Sequence, residues 1–232
     1  MSQSNIAILT LKNKLCGKLL FTSSPLTLRL AERSRLRTLR SLRVLDVVYC
    51  SVLGRPYSTE AIRTDNTAMS LLHMPSVTAR DSTLKASFEL CSIIAEITPT
   101  LDAEDTIGLS TAEGFLKRLH NWSATLPANM RHFSRSADEP LTVEEQERTI
   151  GNVHVSCEYY FAVMLVTRPF LITHLMAHLS NGAGSGPHAN SSTARDLADL
   201  AGACIDSAML MASMCHEALQ SGILLKQMCL LK

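Results

Sequence analysis

From Leu36 onward, apolar residues return at steps of three and four through most of the chain. That spacing fits the 3.6-residue turn of a helix and not the two-residue alternation of a strand, so each such stretch presents one apolar face. Turn makers are scarce: 10 glycines and 8 prolines among 232 residues. A many-stranded sandwich or a Gly-rich nucleotide fold needs more of both. With 46% apolar and 19% charged residues, the composition is that of a globular chain and not a disordered one. The pattern predicts an all-α, multi-helix bundle.

Leu36, Leu39, Leu42, Leu45 and Tyr49 form the apolar stripe of the first predicted helix, and Arg33, Arg37, Arg40 and Arg43 share its other side. The helix should stop where Gly54 supplies a left-handed cap and Pro56 forbids continuation. Residues 57–80 read as irregular. A second helix opens with Asp81 or Ser82 as N-cap, carries Leu84, Phe88, Cys91, Ile94 and Ala95 on one face, and meets Pro99 at or after its end. The run from Ser110 to Glu113 reads as a capping box, followed by Phe115, Leu119, Trp122 and Leu126 in a third helix that ends before Pro127.

The polar segment 127–141 is loop-like. Thr142 to Glu145 reads as another capping box, opening the longest helix, with Ile150, Val153, Cys157, Tyr160, Met164, Leu165 and Leu171 inward. A kink is expected at Pro169, which has no N–H for the carbonyl of Leu165. Residues 181–193 have the composition of a flexible connector. A last helix from about Thr193 to Gln220 points Leu197, Leu200, Cys204, Ala208, Met211, Cys215 and either Ala218 or Leu219 inward, with Gly222 as its cap. Residues 1–30 are left unassigned, and 226–232 form a tail.

The net charge of +1 hides an asymmetry. Lys12, Lys14, Lys18, Arg29, Arg33, Arg35, Arg37, Arg40 and Arg43 face a single acid, Glu32, in the first 45 residues, and the remainder is acidic on balance. Such a segment suits either an anionic partner or a basic helix docked on an acidic body. Its lack of acids before Glu32 is also what a mitochondrial transit peptide shows, although a poorly ordered terminus has the same composition. The most apolar long window, Tyr159 to Leu179, is interrupted by Arg168, Pro169, His174 and His178, so no membrane span and no membrane partner are expected.

Motifs that carry chemistry are incomplete. The seven cysteines, at 16, 50, 91, 157, 204, 215 and 229, include no Cys-x-x-Cys unit, which fits reduced thiols packed as small hydrophobes. His174 and His178 lie one helical turn apart but lack a nearby third ligand, so no metal site is assigned. The run Gly182 to Pro187 lacks the Gly-Lys-Ser/Thr ending of a phosphate loop. Neither a nucleophile elbow nor a catalytic triad can be assembled from spacing, so no catalytic residue is named and no enzyme is expected. Met209, Met211 and Met214 suit core packing or a pliable pocket, and no ligand-binding residue is named.

Five segments carry a resemblance. RLRTLRSLRVLD from Arg35 to Asp46 is followed by LGRP from Leu53 to Pro56. Glu89 to Ile97 comes next with Leu101, then Phe115, Leu119, Trp122, Leu126 and Pro127, then LVTRPFL from Leu165 to Leu171. In this order they resemble the fungal-specific transcription factor domain, the middle homology region of fungal binuclear zinc-cluster regulators, over about Arg33 to Leu225. Where that family has an aromatic pair, this chain has Leu39 and Arg40.

The resemblance implies a partial regulatory domain over 31–225, nuclear, without turnover. It relays a small effector or a protein contact to a DNA-binding module elsewhere. DNA is then an indirect partner, and zinc belongs to a six-cysteine module without counterpart here. A stand-alone helical scaffold and a small-molecule-binding protein are the alternatives. The motif residues it marks as structural are Arg35, Arg37, Leu45, Asp46, Gly54, Arg55, Pro56, Trp122, Arg168 and Pro169. Arg55 and Arg168, beside their prolines, are expected to pair with carboxylates such as Asp46 or Glu158. Helices meant to pack on the absent upstream half should leave apolar stripes exposed.

Overall fold

A computed structural model describes residues 25–59, 78–103, 107–131, 142–181 and 191–222. The expectations placed on 1–24, 60–77, 132–141, 182–190 and 223–232 lie outside the described residues. Helices α1 (Pro25–Leu53), α2 (Ala79–Ala103), α3 (Leu109–Thr125), α4 (Ala128–Arg131), α5 (Val143–Asn181) and α6 (Ser191–Gln220) follow in chain order. No strand occurs among the described residues, and the fold is all-α.

Two compact units divide within α1, after Leu39. In the first, α1 opens on Pro25, whose fixed φ suits the first helical position, and the Thr38 hydroxyl donates to the Ser34 carbonyl at 3.1 Å. The second unit begins at Arg40 and holds every other helix.

Helix α5 is the spine of the second unit, packing along α6 and against α2 and α3. Its Val155, Ala162, Val166 and Phe170 meet Leu90, Ile94 and Ile97 of α2, Leu119 and Trp122 of α3, Leu200 of α6 and Val47 of α1 in one buried cluster. The α2–α5 contact is close enough to require a glycine. A Cβ on Gly151 would collide with Thr83 Oγ1 and lie 2.9 Å from its Cγ2.

The helix ends follow sequence chemistry in part. At Gly54, φ is +61°, and the Arg55 N–H bonds the Cys50 carbonyl at 3.0 Å, the six-residue bond of a Schellman ending. Thr142 and Glu145 close their capping box: the Glu145 N–H donates to the Thr142 hydroxyl at 3.3 Å, and the Thr142 N–H donates to the Glu145 carboxylate at 3.0 Å. Gly222 takes a left-handed conformation just past α6, with φ +67°, and its N–H bonds the Leu219 carbonyl at 3.0 Å.

Other boundaries move. Helix α2 begins before Asp81 because Thr78 takes the N-cap, its hydroxyl accepting the Asp81 N–H at 3.1 Å. Its packing, with Ile97 and Thr98 buried, carries α2 through Pro99 to Ala103. The box expected at Ser110 does not form, since Gly108 is the N-cap without a side-chain bond. Ile107 and Ala112, both buried in the main core, occupy the two positions of a hydrophobic staple, and that burial fixes the entry to α3. On α6 the inward position falls on Ser207 and leaves Ala208 exposed.

Candidate functional site

The Gly54 ending turns the chain back so that Tyr57 to Thr59 lie against α1. The Asp46 carboxylate accepts the Ser58 N–H at 3.2 Å, the Thr59 N–H at 2.8 Å and the Thr59 hydroxyl. Burial alone would push the Asp46 carboxyl up, but the Thr59 and Ser58 bonds outweigh it and hold it below its ordinary value. Arg43 Nη1 donates to Thr59 Oγ1 at 2.8 Å, and its guanidinium lies 5.4 Å from the Tyr57 ring centre.

A hydroxyl relay ties this turn to α2. Thr98 donates to the Ile94 carbonyl, so it accepts from Ser51, which in turn accepts from the Tyr57 hydroxyl; both hydroxyl pairs are 3.1 Å apart. The motif residues Asp46 and Gly54 thus brace α1 against the chain that follows it.

This brace inverts the expected orientation of α1. Arg40 and Arg43 are 2% and 7% exposed, whereas Leu42, Leu45 and Tyr49 are 50–51% exposed and Val52 61%. The inward line is Arg40, Arg43, Val47 and Ser51. Arginine can occupy such a line because its aliphatic stem packs and its guanidinium stacks on aromatic rings; Arg40 lies 5.9 Å from the Phe88 ring centre. Burial lowers the Arg40 pKa, and the charges of Asp81 and Glu89 oppose that shift. The outward line of Leu42, Leu45, Tyr49 and Val52 steps by three, four and three, the seam spacing with which one helix receives another.

The remaining motif residues are dispersed. Arg35 is exposed and Arg37 half-buried in the first unit. Arg55 and Arg168 are exposed and form no ion pair among the described residues, which overturns the pairing expected of them. Asp46 is already engaged by the Ser58 and Thr59 N–H groups, the Thr59 hydroxyl and the Cys50 thiol, and Glu158 lies over Ser87 of α2 instead. Pro56 is exposed; Pro169 is half-buried within the uninterrupted α5.

Trp122 is buried at the end of α3 and stacks on Tyr159 with centroids 6.3 Å apart, and Tyr159 meets Tyr160 edge-on at 5.6 Å. Together with Ser123, Met130 and Ser156 these rings line an open groove of about 200 Å³. The Trp122 Nε1 is buried without a hydrogen-bond partner. That volume is smaller than an ordinary small-molecule site.

Two features escaped sequence reasoning. Burial pushes the Glu158 carboxyl up to about 7 while the Ser87 hydroxyl pulls it back, and its Oε2 has no hydrogen-bond partner. Cys157 and Cys215 face each other across α5 and α6. Both depend on which helices become neighbours, and no local signal records that.

The rings of His174 and His178 are 4.5 Å apart, and no group of three or more His, Cys, Asp or Glu placed to hold a metal occurs among the described residues. By length and composition only, the segments Val143–Leu179 of α5 and Ala194–Gln220 of α6 are each long and apolar enough to cross a membrane. Comparison with protein-family models, with curated proteins and with solved structures finds no match for this chain.

Proposed function

We propose that this chain is a regulatory interaction domain of the fungal zinc-cluster transcription factor kind, acting in the nucleus by contact and without turnover. The outward seam of α1 carries the proposal: four apolar side chains held out of the core by an arginine-lined inner face and a braced turn. A seam of that spacing receives an amphipathic helix of a partner protein. The order of the Leu-Gly-Arg-Pro and Arg-Pro-Phe segments supports the regulatory assignment. DNA would be reached through a separate binding module, and zinc would belong to that module.

Fusing the full chain to an unrelated DNA-binding module upstream of a reporter tests this. The fusion should change reporter output, and Leu45→Glu with Tyr49→Glu should abolish the change while helicity and melting temperature stay as they were. An inert fusion, or one indifferent to the double substitution, refutes the proposal. A second reading, a membrane-seated hairpin, is favoured by the exposure of Ile172, Leu175, Met176 and Leu179 on α5 and of Ile205, Met209 and Leu210 on α6. Co-flotation of the purified chain with phosphatidylcholine vesicles would select it.

A further inference from the structure

The sulfurs of Cys157 on α5 and Cys215 on α6 lie 3.7 Å apart, although 58 positions separate them in sequence. Both residues are half-buried, so a small reagent has access to either. Cys157 packs with Met214 against Val153 and Ala218, a small cluster that holds the two helices in register at this level. The other described cysteines are differently engaged. Cys50 gives its S–H to Asp46 at 3.5 Å, Cys91 is buried with its S–H 3.9 Å from the Val44 carbonyl, and Cys204 is buried.

We propose that Cys157 and Cys215 are a paired modification site at which a low-molecular-weight disulfide of the glutathione type staples α5 to α6. The thiolate of one cysteine attacks a sulfur of the reagent, releasing one equivalent of reduced thiol and leaving a mixed disulfide. The second cysteine loses its proton and attacks the protein sulfur of that mixed disulfide, forming the Sγ–Sγ bond and releasing the second reduced thiol. The protein gives up two electrons and two protons, and the reagent takes up both.

A disulfide needs its sulfurs at about 2.05 Å. Bond formation therefore asks the two sulfurs, 3.7 Å apart, to approach by rotation of their side chains. Burial, with Cys215 beside it, pushes the Cys157 thiol up to about 12, so the reaction is slow and calls for sustained oxidant. The product closes a loop that includes the whole α5–α6 connection and so restricts the unfolded chain.

The test exposes the reduced 232-residue chain to oxidised glutathione, alkylates the remaining thiols, and maps the digest without reduction. The expected result is a crosslinked peptide pair containing Cys157 and Cys215, a raised melting temperature, and reversal of both by dithiothreitol. Cys157→Ser or Cys215→Ser should stop at a single glutathione adduct on the surviving thiol, without the rise in melting temperature. Recovery of both cysteines as alkylated thiols, as two separate adducts, or joined to other cysteines would overturn the proposal. Should the serine variants unfold, the wild-type map decides alone.

Discussion

Replacing Glu158 by Gln probes the α2–α5 contact through its pH dependence. In the folded chain this carboxyl ionises at about 7, against an ordinary value of 4.5, because burial disfavours its charged form. The folded state therefore holds the proton over a range where the unfolded chain has released it. Its contribution to stability is intact below about 4.5 and is lost as pH rises to about 7, beyond which the penalty is constant. Converted at 1.36 kcal/mol per pKa unit, the full loss is about 3 kcal/mol, and water reaching the half-buried side chain reduces it to about 2 kcal/mol. Gln keeps the shape and never ionises. Urea unfolding followed by circular dichroism should thus find the variant about as stable as the wild type at pH 4.5 and about 2 kcal/mol more stable at pH 8. The difference of differences cancels groups that titrate alike in both proteins. A variant whose advantage is the same at both pH values, or that is less stable at pH 8, refutes burial as the cause.

Three further outcomes follow from contacts already described. Gly151→Ala drives a methyl group into Thr83 and should cost about 1–3 kcal/mol, and combining it with Thr83→Ala should recover part of that loss in a double-mutant cycle of unfolding energies. Asp46→Ala strands the N–H groups of Ser58 and Thr59 and should cost about 1–3 kcal/mol by the same measurement, with Asp46→Asn between the two. Leu45→Ser and Tyr49→Ser, on the open side of α1, should each stay within about 0.5 kcal/mol of the wild type.

Much of the fold was legible because helix ends are decided locally. Gly54 needs only its own missing Cβ to take a left-handed conformation, and Thr142 and Glu145 need only each other. Where two cap formers compete within a few residues, as at Thr78 and Asp81, or where a buried neighbour sets the entry, as Ile107 does for α3, the decision passes to packing. The orientation of α1 was illegible for a related reason. Periodicity identifies two faces, and the ordinary rule assigns the apolar one to the core. Arg40 and Arg43 reverse it by stacking on Phe88 and Tyr57, residues far from them in sequence. Glu158 and the Cys157–Cys215 pair acquire their character only once α5 has met α2 and α6. The motif residues are legible as structure: Asp46 and Gly54 build a turn, and Arg55 and Arg168 extend into solvent.

The outward seam of α1 is tested most directly by hydroxyl-radical footprinting of the purified 232-residue chain, with oxidation read residue by residue through mass spectrometry. Leu45 and Tyr49 should be oxidised readily, while Val47, fully enclosed between α1 and the core, stays protected. Protection of Leu45 and Tyr49 together with oxidation of Val47 would place the leucines inward and contradict the reading of this helix on which the proposed function rests.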